Sequence, residues 1–284
     1  MPELQILKKH LIGKMRFIAV VLILLIPFPG CNEEKKDDFE KIFSYPTKPG
    51  SEWNYYSESV YTVYESETSD KIIDTDTVAF PIKVKIEKDT LLNDTMNVLQ
   101  FVSIIEKYGY KSTQYYFINS EGLNAYATSK STGHIFAKKN NPVNFVHDML
   151  PFSSDVSLFS DAPSIYIIKP RPRLNLKFPL RLNSKWTYSY PSEPFNLQID
   201  KEVVGYEYIK TNDKTYSCYL VSWDYLDNEY FGNTRIYDWI SEEGLIKREI
   251  IYDRVTVVSE DNLSWENFQL TETISLTGIN LFGF

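Results

Sequence analysis

The chain has 284 residues, a formal charge of −8 at pH 7 and an aromatic share of 15%. An acidic chain repels the phosphates of nucleic acids, so this charge speaks against a nucleic-acid-binding protein. The many aromatic residues favour pleated, half-buried strands over helices.

The first element in the chain is an apolar run from Phe17 to Ile26, which follows Met15-Arg16 and precedes Gly30-Cys31. A basic start, an apolar centre of about 7–15 residues and a small residue before a cleavage site are typical of a secretory signal. A membrane-spanning helix needs about 20 apolar residues. Because a cysteine directly follows the small residue, the pattern predicts a bacterial lipoprotein signal over residues 1–30, with Met15 as an alternative start.

Lipidation is therefore predicted at Cys31, where two or more acyl chains such as palmitate give stable membrane anchoring. Phe28 stands where lipoprotein signals typically have leucine, so an ordinary secretory signal remains an alternative. The charged stretch Asn32–Lys41 predicts a solvated tether, which we extend over residues 31–44. We expect an outer-membrane protein that faces the periplasm or the outside of the cell.

After the tether, apolar and polar residues alternate with the period of two that is typical of half-buried strands. Between Val78 and Ile86 every second side chain is apolar, while Lys83 and Lys85 lie on the opposite face. Pro81 lacks a backbone donor, which predicts an edge or a bulge. The best candidate helix, residues 142–150, is short. The predicted strands are 53–64, 77–87, 96–105, 113–119, 123–128, 165–169, 185–190, 197–210, 215–223, 235–240, 245–252 and 268–276.

The spacing of these strands predicts an all-β fold made of antiparallel curved sheets or half-barrels. An internal duplication is also predicted, because two features recur in the same order. Residues 49–55 and 182–188 share Ser-x-Trp-x-Tyr, and residues 115–123 and 237–245 share a Glu-Gly hairpin turn, where glycine tolerates positive φ. The predicted organisation is a first β repeat (45–128), a proline-containing connection (129–182) and a second β repeat (183–284). The connection is either a linker between two domains or part of one continuous sheet.

The Ser-x-Trp-x-Tyr strand and the later hairpin of residues 239–249 together resemble β-rich lipoproteins of Bacteroidota. The resemblance covers residues 182–250 well and residues 49–128 loosely. Those proteins are similar in turn to curved-sheet lipoprotein carriers. The resemblance implies a sheet that binds a lipid or another amphiphile, and it implies no catalytic residues.

No catalytic, cofactor or metal site is predicted. His134 and His147 lack zinc-ligand spacing, and the sequence holds no Gly-x-Ser-x-Gly motif and no glycine-rich phosphate loop. The acidic stretch of residues 70–76 lacks the glycine and the distal glutamate of a calcium loop. The Glu-Gly turn acids, Glu121 and the pair Glu242-Glu243, are interpreted as solvated.

Cys218 is the single thiol left after lipidation, which excludes an intramolecular disulfide, and we expect it to be a small buried apolar residue. The tyrosines of the predicted strands are interpreted as core and cross-strand packing, with a platform for sugar rings or a lipid lining as the alternative.

Three functional hypotheses follow. The first is non-catalytic binding, with a lipid or other amphiphile carried in a curved sheet. The second is a solid-cored scaffold that holds another envelope protein or a glycan. The third is a hydrolase, in which His147 and Asp148 would orient one another in a catalytic triad.

Overall fold

The computed structural model describes residues 43–66, 68–92, 96–130, 166–192, 195–212, 214–226, 234–258 and 265–282. Cys31, the candidate helix over residues 142–150, His134 and His147 lie outside the described residues. The described part belongs to one compact unit, Phe43–Phe284. Among the described residues, every member of the core cluster lies between Phe43 and Leu276, so a chain of residues 39–284 includes this cluster.

The described chain is built from strands, and each of the predicted strands has a counterpart. They are β1 (Glu52–Tyr64), β2 (Ile72–Leu92), β3 (Met96–Ile105), β4 (Tyr110–Asn119), β5 (Gly122–Lys130), β6 (Tyr166–Lys177), β7 (Lys185–Ser192), β8 (Phe195–Thr211), β9 (Lys214–Leu226), β10 (Thr234–Ser241), β11 (Gly244–Val258) and β12 (Trp265–Asn280). A 3-10 helix, Glu106–Tyr108, joins β3 to β4. The all-β prediction is confirmed.

No helix within the described ranges has the length and apolarity needed to cross a membrane.

All of these strands form one antiparallel sheet in the order β6-β5-β4-β3-β2-β1-β12-β11-β10-β9-β8-β7. The run β1–β6 is one meander and the run β7–β12 is a second, and backbone pairing of β1 with β12 joins them. The sheet curves until its two edge strands, β6 and β7, contact each other, which gives a nearly closed barrel. Because β6 falls within the predicted connection, the described part of that connection belongs to one continuous sheet.

The two recurring sequence features occupy corresponding places in the two meanders. Ser-x-Trp-x-Tyr leads into β1 and β7, and the Glu-Gly turn joins β4 to β5 and β10 to β11. Gly122 (φ 147°) and Gly244 (φ 117°) both adopt positive φ, as predicted. A Cβ on Gly244 would lie 2.6 Å from Nε1 of Trp53, so the indole ring also excludes a larger residue there.

Pro81, Pro170 and Pro172 lie where strand pairing is incomplete. Among the described residues, β2 pairs with β1 from Ile72 to Lys85 and with β3 from Lys83 to Leu92, so Pro81 is paired on the β1 side and lies on a local edge. The ladder between β5 and β6 passes from Ile168 directly to Arg173, so Pro170 and Pro172 lie in a bulge. Proline has no N–H to give to a ladder, so both positions suit it.

Aromatic side chains fill much of the inside of the sheet. Trp53 stacks with Tyr45 and Phe101, with ring centroids 6.3 and 6.4 Å away. Phe43 lies within the range predicted as a tether, but it is buried and its ring centroid lies 5.8 Å from that of Phe178. The packed domain therefore begins at Phe43, because the segment before β1 contributes its aromatic residues to the core.

Candidate functional site

Several charged side chains are almost fully buried inside the sheet. Each is at most 6% exposed, and within the described ranges they are Arg173, Lys201, Asp238, Arg248 and Glu272. A buried charge is costly unless hydrogen bonds and opposite charges compensate it. The interior network that these side chains form is the candidate functional site.

Four of these charges interrupt an apolar strand face. Successive side chains of a strand point to opposite faces, so Lys201 shares its face of β8 with the buried residues Ile199 and Val203. The same holds for Asp238 on β10, Arg248 on β11 and Glu272 on β12. Because the apolar neighbours on that face are buried, each charged side chain is buried with them. This interruption of an apolar alternation is the signal by which the sequence could have revealed the site.

Asp238 and Arg248 lie opposite each other on β10 and β11 and form a bidentate ion pair. Arg248 donates from Nε to Oδ1 at 2.6 Å and from Nη2 to Oδ2 at 2.8 Å. Nε1 of Trp223 donates to the same Oδ2 at 3.1 Å. Burial alone would lower the pKa of Arg248, but the attraction of Asp238 and its hydrogen bonds outweigh burial and raise that pKa. The guanidinium therefore stays charged inside the protein.

The edges β6 and β7 meet through side chains that we name the seam cluster: Arg173, Asn175, Trp186, Tyr188 and Lys201. Nε1 of Trp186 donates to the backbone oxygen of Asn175 at 3.2 Å. Nη1 of Arg173 donates to the hydroxyl of Tyr188 at 3.3 Å. Nζ of Lys201, which reaches over from β8, donates to O and Oδ1 of Asn175 at 3.2 and 2.9 Å. These bonds hold together the two strands at which the ladder order ends.

Trp223 connects the seam cluster to the ion pair. Nζ of Lys201 lies 3.5 Å from the centroid of the Trp223 ring, and Cζ of Arg248 lies 5.0 Å from it. Cation–π attraction is strongest at such desolvated sites. Because Trp223 also donates to Asp238, the polar contacts run without a break from β6 to β11.

Buried tyrosines and Glu272 extend the network toward β1. Oγ of Ser57 donates to Oε1 of Glu272 at 2.6 Å, and the hydroxyl of Tyr55 donates to the backbone oxygen of Leu245 at 3.0 Å. Burial raises the pKa of four tyrosines that lie near the charges: Tyr45, Tyr55, Tyr225 and Tyr252. The interior therefore presents neutral hydroxyl groups beside fixed charges.

The candidate residues of the sequence analysis that the structure describes lie outside the interior network. Cys218 is buried on β9, as predicted, and burial raises the pKa of its thiol to about 12. Asp74 and Asp76 each accept a hydrogen bond from the N–H of the following residue. At the β10–β11 turn, the carboxylate of Glu243 forms an ion pair with Lys214, the first residue of β9. Among the described residues, no three ligating side chains form a group that could hold a metal ion.

The tyrosines divide between the core and the surface. The packing interpretation is correct for Tyr55, Tyr61 and Tyr188, which are buried in the core. Tyr56 and Tyr208 are instead 46% and 67% exposed. Packing inside the sheet therefore explains only part of the aromatic enrichment.

Comparisons with protein-family models, curated proteins and solved structures found no match for this chain. Function is therefore inferred from the interior network itself.

We expect the protein to lose stability as the pH rises above 10, because four buried tyrosines have a folded pKa above their ordinary 10.0. Each hydroxyl ionises more readily in the unfolded chain. The stability that this neutral state contributes is fully present below pH 10 and is lost as the pH rises through the raised value. The midpoint temperature of unfolding, measured on residues 39–284 at increasing pH, follows this loss.

Tyr225→Phe should flatten the fall, because the substitution removes one of the four hydroxyl groups. Tyr208→Phe changes an exposed hydroxyl and is the matched control. A midpoint that stays level above pH 10, or an equal slope in the wild type and Tyr225→Phe, would contradict the assignment.

Proposed function

We propose that this chain is a non-catalytic binding protein that is anchored in the outer membrane through lipid on Cys31 and holds an amphiphile inside its curved sheet. The observation that supports this proposal most strongly is the buried network of charges and tyrosines. A solid core does not require such a network, because apolar residues of similar volume are often as stabilising as a buried ion pair.

A site for an amphiphile combines apolar walls with a few polar groups that fix its orientation. The interior has both. Trp53, Ile82 and Phe101 form a buried apolar wall on β1–β3, whereas Lys201 and Arg248 belong to the polar network on β8–β11. A barrel of about eight strands is just filled by side chains, and the enclosed space grows with strand number. An acyl chain would lie against the apolar wall, with its head group against the polar network.

A solid-cored scaffold for another envelope protein or a glycan is the second candidate. It is favoured by the close packing of rings inside the sheet, where the centroid of Phe43 lies 5.8 Å from that of Tyr219. Val204 and Tyr208 on β8 are 44% and 67% exposed, so each side chain is accessible to a partner. In a scaffold, the charged network would serve only to fix the arrangement of the strands.

Native mass spectrometry of residues 39–284, purified without organic solvent, distinguishes the carrier from the scaffold. The carrier predicts an adduct of several hundred daltons that organic solvent removes, because an amphiphile is held without a covalent bond. Protein refolded from denaturant is the control, since it should be empty and should recover the adduct from a lipid extract. An empty mass that persists after incubation with the extract would favour the scaffold.

The lipid anchor has a separate test. Cys31→Ser removes the thiol that would carry the acyl chains, so we expect the protein to move from the membrane pellet to the soluble fraction of cells. Cys218→Ala is the matched control, because it removes the only other cysteine and should leave the protein in the pellet. If the Cys31→Ser protein stayed in the pellet, a lipid on this residue would not be the anchor.

A further inference from the structure

The seam cluster brings two cations around one aromatic ring. Cζ of Arg173 lies 5.5 Å and Nζ of Lys201 lies 5.6 Å from the centroid of Tyr188. Nη1 of Arg173 donates to the hydroxyl of Tyr188, and Nζ of Lys201 donates to O and Oδ1 of Asn175. The cluster therefore holds two cationic side chains beside the same ring.

The side-chain amide of Asn175 supplies a second, independent observation. This residue is only 1% exposed, and its Oδ1 accepts from Lys201. Its Nδ2 has no hydrogen-bond partner within the described part of the chain. A buried donor without an acceptor is destabilising. An acceptor oxygen on a bound molecule would satisfy this donor.

The position of this donor favours an anion as the acceptor. Nζ of Lys201 donates to Oδ1 of the same amide at 2.9 Å, so an acceptor at Nδ2 would lie close to a cation. Arg173 lies beside Tyr188 in the same cluster and provides a second cation. Opposite charges attract more strongly in a medium of low dielectric constant, so a buried anion would be favoured over a neutral acceptor.

We propose that the seam cluster binds the anionic head group, a carboxylate or a phosphate, of the molecule held inside the sheet. This inference rests on the proposed carrier function. The oxygens of the head group accept hydrogen bonds from Nδ2 of Asn175 and from the cationic groups of Arg173 and Lys201. The chain of the amphiphile extends from there toward the apolar wall on β1–β3.

Fluorescence titration of residues 39–284 with dansylamino-undecanoic acid and with its neutral primary amide tests this proposal. The two probes share a chain and a fluorophore and differ only in head-group charge at neutral pH. We expect the acid to bind about tenfold more tightly, because charge-assisted hydrogen bonds are stronger than neutral ones. Displacement of the acid by laurate and by lauryl phosphate then identifies the preferred anion.

Variants locate the anion within the structure. Lys201→Met and Arg173→Gln should each weaken the preference for the acid and leave the affinity for the amide within about twofold. Lys214→Met is the matched control, because it removes an exposed lysine from the neighbouring β8–β9 turn. Tyr188→Phe keeps the ring, removes the hydroxyl that accepts from Arg173, and tests the cluster if Lys201→Met fails to fold.

Each contrary outcome has a distinct meaning. Equal binding of the acid and the amide by the wild type would overturn the anion site and leave the amphiphile carrier standing. Binding of neither probe would overturn both. A full preference for the acid in Lys201→Met, Arg173→Gln and Tyr188→Phe would show that the anion binds outside the seam cluster.

Discussion

The structure depends on how a twelve-stranded sheet closes when, among the described residues, eleven backbone ladders join its strands and side chains connect the two edges. Unpaired strand edges expose N–H and C=O groups, and proteins usually cover or interrupt them. Here the two edges meet through Trp186, Asn175, Arg173 and Tyr188, with Lys201 reaching over from the next strand. Closure by side chains places basic groups inside the protein, at the junction where the first meander ends with β6 and the second begins with β7.

This closure gives the interior its polarity. Lys201 belongs to the seam cluster and also contacts Trp223, which donates to the Asp238–Arg248 pair. Electrostatic interactions are stronger in a medium of low dielectric constant, so members of one buried network affect each other more than surface charges do. The same side chains therefore both hold the edges together and line the interior. A bound anion would add to a network that already stabilises the fold.

Much of the fold could be predicted because it depends on local pattern. The alternation from Val78 to Ile86 identifies β2, and the Glu-Gly turns identify both hairpins through the backbone freedom of Gly122 and Gly244. The prediction for β6 ended at Lys169, whereas the strand continues to Lys177. The bulge around the prolines lets the ladder resume, and a local pattern does not show that.

The strand order and the site depend on distant residues and were less predictable. The pairing of β1 with β12 joins segments from opposite ends of the domain, which no local pattern specifies. The buried charges were missed because charged residues in a strand are assumed to face water. Lys201 lies between the apolar residues Ile199 and Val203 on one face, and that arrangement was available in the sequence. Only the curvature of the sheet brings it next to Asn175.

The central claim is that side chains close the sheet between β6 and β7 and that this junction also holds the ligand. Hydrogen–deuterium exchange of residues 39–284, with and without laurate, tests it most directly. We expect the amides of β6 and β7 to exchange faster than those of β1 and β12 without ligand, and to slow when laurate is added. Equal protection at both junctions, unchanged by laurate, would contradict the account.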